Sequence, residues 1–102
     1  MIISTDEKGS IFFYSVSSNL LVFKYNFYQK KYKKIKKKLN IISENNIVYV
    51  SDNFGYVYAI DFTKQKLIWA KDYKIPFRSN LKISGDKLIL ADLNNSLYLI
   101  DK

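Results

Sequence analysis

The side chains that could take part in chemistry are mainly aspartates and lysines, because the sequence contains neither histidine nor cysteine. Their absence removes the commonest general base and the usual imidazole and thiolate metal ligands. Five aspartates recur in similar sequence surroundings: Asp6, Asp52, Asp61, Asp92 and Asp101. Repeated carboxylates could ligate a metal ion or act as acid and base. Each also opens a turn, where a carboxylate accepts backbone N–H groups, and we predict this capping role.

Lysine is the second residue type that could bind a partner. Seven of the 17 basic residues lie within positions 30–38, and the net charge of the chain is +8. Outside this cluster the basic and acidic residues nearly balance. The excess of positive charge is therefore local, and it does not by itself indicate a nucleic-acid-binding protein.

The lysine cluster lies in a segment, 26–40, with apolar residues spaced i, i+4, i+7 and i+11: Tyr28, Tyr32, Ile35 and Leu39. This spacing is typical of a narrow apolar stripe on a helix, which could contact anionic lipid headgroups or an acidic protein. Lysine with interleaved tyrosine could also bind single-stranded nucleic acid, the least favoured of these partners. The alternative is a long connection with solvated lysines, which we prefer because like charges repel one another in a helix. The candidate contacts are Lys31, Lys34 and Lys37.

A second connection, 72–80, contains the only proline and the only arginine of the chain, Pro76 and Arg78. Phe77 beside Arg78 could form an aromatic and basic anchor for a partner protein. The alternative, which we favour, is a rigid turn with the ring of Phe77 tucked under the adjoining sheet.

The elements that must position these residues follow a repeat. The segment VYVSDNFGYVYAID at 48–61 recurs as LILADLNNSLYLID at 88–101, forty positions later. A looser copy, IISTDEKGSIFFYS, lies at 2–15, forty-six positions before the first of these. Short apolar runs separated by Asp, Asn and Gly with a period near forty are typical of a β-propeller blade.

The repeat predicts the secondary structure. Strands are expected at Ile47–Ser51, Tyr56–Ile60 and Leu67–Lys71, preceded by a short strand, with turns at 45–46 and 52–55. The strands are apolar on both sides, as expected when sheets cover them above and below. The predicted fold class is all-β, with antiparallel four-stranded propeller blades and about two and a half blades of a larger β-propeller. A two-layer sandwich is the alternative.

The register of the repeat divides residues 1–102, a single partial propeller domain, into four parts. A partial blade at 1–27 is followed by a basic connection at 28–39, a complete blade at 40–79 and a partial blade at 80–102. The first blade lacks its opening strand and the last lacks its fourth. We therefore expect exposed strand edges and apolar blade faces at both ends. The N-terminal residues have no apolar core and are not those of a signal peptide.

The segment GYVYAIDFTKQKLIW, 55–69, resembles the repeat of pyrroloquinoline-quinone-type, or quinoprotein-like, β-propellers. The residues that match the family pattern are Gly55, Tyr58, Ala59, Asp61 and Trp69. The resemblance implies that Trp69 docks against the adjacent blade, with Gly55, Ala59 and Asp61 in supporting structural positions. Lys64 and Gln65 depart from the family's Thr-Gly turn.

Enzymes of this family bind the quinone and a calcium ion, using an Asp base and often adjacent cysteines. None of those motifs can be located here, so the chain looks more like the non-enzymatic BamB group of lipoproteins. That resemblance implies a non-catalytic scaffold without a cofactor that binds proteins of the outer-membrane assembly machinery, in the periplasm or at the cell outer membrane. The alternatives are a fragment of a quinone-dependent dehydrogenase and a cytosolic binding module that uses the lysine-rich segment.

Overall fold

The fold consists of strands joined by turns. A computed structural model of the chain describes residues 1–18, 20–29, 32, 34–77, 80–92 and 94–102. Its strands are β1 (Ile2–Thr5), β2 (Ser10–Tyr14), β3 (Leu21–Asn26), β4 (Leu39–Glu44), β5 (Ile47–Asp52), β6 (Tyr56–Asp61), β7 (Lys66–Asp72), β8 (Lys82–Ser84), β9 (Lys87–Ala91) and β10 (Leu97–Asp101). Within these ranges no helix has the length and apolar character needed to cross a membrane.

The strands form three antiparallel sheets, with the orders β1-β2-β3, β4-β5-β6-β7 and β10-β9-β8. Two compact units contain them, Met1–Leu39 with the first sheet and Asn40–Lys102 with the other two. The all-β class and the antiparallel, blade-like sheets predicted from the sequence are confirmed. The four-part division of the chain stays a prediction.

The three copies of the repeat have the same strand register. Val48 lies opposite Ile60, and Leu88 lies opposite Ile100, each partner shifted by forty positions. In the first sheet Ile2 lies opposite Tyr14, which is the same pairing shifted by forty-six positions. The sequence repeat is therefore a structural repeat, because the spacing of apolar residues and turn residues fixes the register of each hairpin.

The turns between paired strands use residues that tolerate positive φ. Gly9 and Gly55 have φ values of 90° and 108°, and Asn95 takes the corresponding place in the third copy with φ 65°. A Cβ at Gly55 would lie 2.7 Å from the backbone nitrogen of Ile75, so this turn needs glycine for space as well as for conformation. Gln65 adopts φ 55° where the family pattern has glycine.

The core of the Asn40–Lys102 unit joins its two sheets. Tyr49, Val57 and Ala59 of the four-stranded sheet pack in one cluster with Leu88 and Leu90 of the three-stranded sheet, among others. Four consecutive residues of β6 are buried, as predicted for a strand covered on both faces. Strand β10 differs, since its buried and exposed residues alternate.

The basic segment contains no α-helix among its described residues, 28–29, 32 and 34–39, and Tyr32 lies in a 3₁₀ turn. They form turns, with backbone hydrogen bonds from Tyr32 to Gln29 at 2.9 Å and from Ile35 to Tyr32 at 3.2 Å. These residues therefore do not form the amphipathic α-helix that the apolar spacing allowed, which agrees with the preference based on charge repulsion, and the bounds of the connection at 28–39 stay a prediction.

Candidate functional site

The aspartates that could have formed a catalytic or metal site are engaged in turns. Oδ1 of Asp52 accepts the backbone N–H groups of Phe54, Gly55 and Tyr56, each at 2.9 Å. Such a carboxylate stabilises the turn by satisfying donors that the strands leave unpaired. The predicted capping role is confirmed for this residue.

The equivalent aspartates of the other copies do the same. Asp6 accepts the N–H groups of Lys8 and Ser10, at 3.0 and 2.9 Å. Asp92 accepts those of Asn94 and Ser96, at 2.8 and 3.0 Å. The repeated acids are thus the fixed first residues of equivalent β-turns.

Asp61 also caps a turn, whereas Asp101 does not. Asp61 accepts the Thr63 hydroxyl at 2.7 Å and the N–H groups of Thr63 and Lys64 at 3.0 Å, and these bonds lower the pKa of its carboxyl. Asp101 caps no turn among the described residues and instead forms an ion pair with Lys87, which corrects the prediction for this position. The described residues contain no group of three or more acidic side chains able to hold a metal ion.

Asp92 has the most elaborate surroundings of these carboxylates. Burial acts to raise its pKa, but the N–H groups of Ser96 and Asn94 and the hydroxyl of Tyr98 hold the pKa below its ordinary value. The Tyr98 hydroxyl donates to Oδ2 at 3.0 Å, and this bond, with burial, raises the pKa of that phenol. The pair is a structural link between the turn and β10, and it remains in one protonation state near neutral pH.

The residues predicted to dock one blade on the next lie together in the Asn40–Lys102 unit. Trp69 lies opposite Ala59 across β6 and β7, and its ring lies 6.4 Å from that of Tyr49, centroid to centroid. The half-buried indole packs on the core cluster shared by the two sheets. This placement is that expected of a docking tryptophan, whose large apolar surface stabilises sheet packing. The docking role itself stays a prediction.

The structure corrects one lysine contact. Lys37 is only 5% exposed. Its ammonium donates to the backbone carbonyls of Tyr32 and Ile35, the latter at 2.8 Å, and lies 4.7 Å from the centroid of the Tyr28 ring. A lysine can turn inward where carbonyl oxygens and an aromatic face replace its hydration. Lys37 therefore holds the connection together and is not accessible to a partner.

Of the other two predicted lysine contacts, only Lys34 lies among the described residues. Lys34 is exposed, as are Lys36 and Lys38 on the same connection. Lys31 lies outside the described residues. The exposed lysines form what we call the lysine surface: Lys34, Lys36 and Lys38.

Phe77 is likewise not an exposed anchor. It is buried in the core cluster, and its ring makes edge-to-face contacts with Tyr73 and Tyr98 at centroid distances of 6.0 and 5.5 Å. The prediction of a Phe77–Arg78 contact pair is therefore corrected for Phe77 in favour of the tucked ring, while Arg78 lies outside the described residues. Burial is the more stable arrangement because the ring removes a large apolar area from water.

A further surface is formed by the last sheet. Leu97 and Leu99 of β10 are 73% and 68% exposed and share a face with Ile89 and Ala91 of β9. Beside β10 lies a groove of about 460 Å³, which β7 and β10 line together. The exposed leucines agree with the expectation of an apolar blade face. The groove could not be predicted from the sequence, because residues about thirty positions apart form its two walls.

Comparison with known proteins supports the fold. The sequence matches no protein-family model and no curated protein. The crystal structure of BamB from Moraxella catarrhalis superposes on 98% of this chain with a TM-score of 0.73 and 13% sequence identity. The computationally designed proteins Ika8 and Ika4 superpose on 98% and 97% of it, each at 11% identity, with TM-scores of 0.78 and 0.76.

These similarities show a β-propeller-like fold and not a specific family. The chain spans 28% of the length of BamB, 30% of Ika8 and 58% of Ika4. It is thus equivalent to a fragment of each of these propellers.

Proposed function

We propose that the chain is part of a non-catalytic β-propeller scaffold that binds proteins, of the BamB type, and acts in outer-membrane protein assembly at the periplasmic side of that membrane. The observation that carries the proposal is the superposition on BamB over 98% of the chain. Fold similarity of this kind supports the architecture of a scaffold, and its function is read from the surfaces it presents.

The surfaces of the chain agree with a binding role. The aspartates at the repeated turns use their carboxylates to hold backbone N–H groups. Two exposed features could contact a partner, the outer face of β9 and β10 and the lysine surface. Exposed apolar patches and complementary charges are each used in protein-interaction sites.

The test is chemical crosslinking in bacteria that express the protein from its own gene. We expect the protein in the envelope fraction, with crosslinks to components of the outer-membrane assembly machinery identified by mass spectrometry. Recovery in the cytosol without such crosslinks would rule the proposal out, and uptake of quinone and calcium by the complete protein would favour the dehydrogenase alternative.

A charge reversal tests the lysine surface within the same experiment. Replacing Lys34, Lys36 and Lys38 by Glu is expected to reduce crosslinks to acidic partners several-fold, since opposite charge becomes like charge. The matched control reverses three exposed lysines elsewhere: Lys8, Lys64 and Lys66. Equal effects of the two variants would show that only net charge matters.

A further inference from the structure

The connection that follows β3 contains a turn held by its own backbone and by one lysine. The N–H of Ile35 donates to the carbonyl of Tyr32 at 3.2 Å. The ammonium of Lys37 donates to the carbonyls of the same two residues, at 2.8 Å to that of Ile35. The N–H of Lys37 donates to the carbonyl of Glu7 at 2.8 Å, which ties the connection to the turn between β1 and β2. Both backbone polar groups of Ile35 are therefore engaged within the Met1–Leu39 unit.

Three side chains of this turn are accessible to a partner. Ile35 is 48% exposed, and the lysines on either side of it, Lys34 and Lys36, are exposed as well. A partly exposed isoleucine is common in itself. Here, however, Lys37 holds the carbonyl of Ile35, so a change of backbone that buried the side chain would break that hydrogen bond. We call Lys34, Ile35 and Lys36 the tip.

The sequence around the tip carries charge of one sign. Seven lysines lie within 30–38, and no acidic residue lies between Glu7 and Glu44. Such a segment attracts negative charge over about a Debye length, roughly 10 Å at 0.1 M salt. The partner of the tip is therefore expected to be anionic and to offer an apolar environment to Ile35.

The residue types favour a lipid surface over an acidic protein. Every basic residue of 30–38 is a lysine, and the only arginine of the chain is at position 78. Protein interfaces are enriched in arginine and depleted in lysine, because a guanidinium pairs with carboxylates in a fixed geometry. An ammonium is a point charge that suits the diffuse negative potential of lipid headgroups. An isoleucine that inserts among headgroups needs no pocket of matching shape.

We propose that the tip binds an anionic lipid bilayer, with Ile35 inserted at the level of the headgroups and Lys34 and Lys36 beside the lipid phosphates. The inference rests on the proposed function for the nearness of a membrane. Lys37 acts as a positioning residue, because its bonds to the two carbonyls hold the turn in the shape that presents Ile35.

The test is cosedimentation of the full chain with vesicles of phosphatidylcholine, either alone or with roughly a third phosphatidylglycerol. We expect binding to the anionic vesicles only, weakening at least about tenfold between about 0.1 and about 0.5 M salt. An excess of free glycerol phosphate should not displace the chain, because a soluble phosphate offers no apolar environment to Ile35. Displacement by glycerol phosphate, or equal binding to both kinds of vesicle, would overturn the proposal.

The lysines of the tip have a matched pair elsewhere in the chain. Lys64 and Lys66 are exposed, have the same spacing and flank Gln65 instead of an isoleucine. Each lysine beside an anionic surface contributes roughly fivefold to binding, so Lys34→Gln with Lys36→Gln should weaken it at least about tenfold. Lys64→Gln with Lys66→Gln should have little effect. Equal losses in the two double variants would show that only net charge matters and would overturn the proposal.

The isoleucine is tested separately. Ile35→Ser is expected to weaken binding several-fold, since binding grows with the apolar area inserted. The matched control is Ile68→Ser on β7, where the isoleucine is 44% exposed, and it should bind like the parent. Urea unfolding of both variants verifies that they fold, and parent-like binding by a folded Ile35→Ser would overturn the insertion of Ile35.

A fluorescent label reports insertion directly. The sequence has no cysteine, so Ile35→Cys and Lys66→Cys each provide a single labelling site. With an environment-sensitive dye, we expect the emission at position 35 to shift to shorter wavelength on anionic vesicles and the emission at position 66 to stay unchanged. Equal shifts at the two positions would contradict insertion of the tip.

The vesicle and crosslinking experiments can fail independently. Absent vesicle binding, with crosslinks that are still lost when the lysine surface is reversed to Glu, would overturn this inference in favour of an acidic protein and leave the proposed function standing. Vesicle binding by a protein recovered in the cytosol without crosslinks would instead rule out the proposed function and leave lipid binding by the tip.

Discussion

Asp92 shows at the scale of the residue how a carboxylate that could serve chemistry is used for structure. It accepts N–H groups from Asn94 and Ser96 and the hydroxyl of Tyr98. Three donors on one carboxylate stabilise its ionised form and leave it poorly suited to act as a base near neutral pH.

This coordination predicts an acid-dependent effect of Asp92→Asn. The folded pKa of Asp92 lies below its ordinary value of 3.8. A carboxyl whose pKa is lowered by folding adds stability above its unfolded pKa and loses it as the pH falls through the folded pKa. We therefore expect the variant to be less stable than the parent at pH 7 and the difference to shrink below about pH 4. Urea unfolding of both proteins across this pH range measures the difference in stability.

The control for this variant is Asp86→Asn, at an exposed turn position. It removes one negative charge without removing a cap from the Asp92 turn. A difference between parent and Asp92→Asn that stays constant from pH 7 to pH 3 would show that the carboxylate is not held in its charged form by the fold.

At the scale of the element, the turn between β5 and β6 is held against the chain that follows β7. The N–H of Tyr73 donates to the carbonyl of Gly55 at 2.8 Å, and the backbone of Lys74 and Ile75 lies where a Cβ of Gly55 would be. The close approach explains why this position in the repeat is glycine, both here and at Gly9, where the Tyr28 ring occupies the space.

Alanine substitutions at two glycines separate the cost of a positive φ from the cost of a steric clash. In Gly55→Ala the new residue must adopt a φ of 108°, and its Cβ would clash with the backbone of residue 75. We therefore expect the free energy of unfolding to fall by about 2–4 kcal/mol. In Gly85→Ala the new residue must adopt a φ of 59°, but its Cβ would have no atom within 4 Å. Here the free energy of unfolding should fall by only about 1 kcal/mol. Denaturant unfolding compares them, and equal losses would contradict the role of close packing at Gly55.

At the scale of the whole molecule, burial is uneven among the sheets. Strands β5 and β6 are almost wholly buried, whereas β1 and β3 are mostly exposed or half-buried. Strand β10 has one covered face and one uncovered face. Regions with few buried apolar contacts open first in the native state.

Amide hydrogen exchange followed by NMR should reproduce this order. We expect the slowest exchange in β6 and faster exchange in β1. Within β10 the amides of Tyr98 and Ile100 should be protected and those of Leu97 and Leu99 should exchange rapidly, because only the former point at β9. Uniform protection along β10 would mean that its outer edge is already occupied.

Much of this fold follows from local features of the sequence. The forty-residue spacing, the apolar runs and the Asp and Gly turn positions were sufficient to predict antiparallel hairpins, because hairpin register depends on neighbouring residues. The described residues of 28–39 do not form the α-helix that the apolar spacing allowed and that charge repulsion disfavoured, since a spacing of four apolar residues does not exclude a compact turn. The inward lysine, Lys37, has no local signature in the sequence.

The sequence by itself determined the class of the fold, the repeat and the turn role of most of the aspartates, as each depends on contacts within a few residues. Only the tertiary structure decided that Lys37 is buried, which of the two arrangements considered for Phe77 is present, and that β7 and β10 line one groove. Burial and grooves arise where distant segments meet, and neither composition nor local spacing specifies which surfaces those segments will cover.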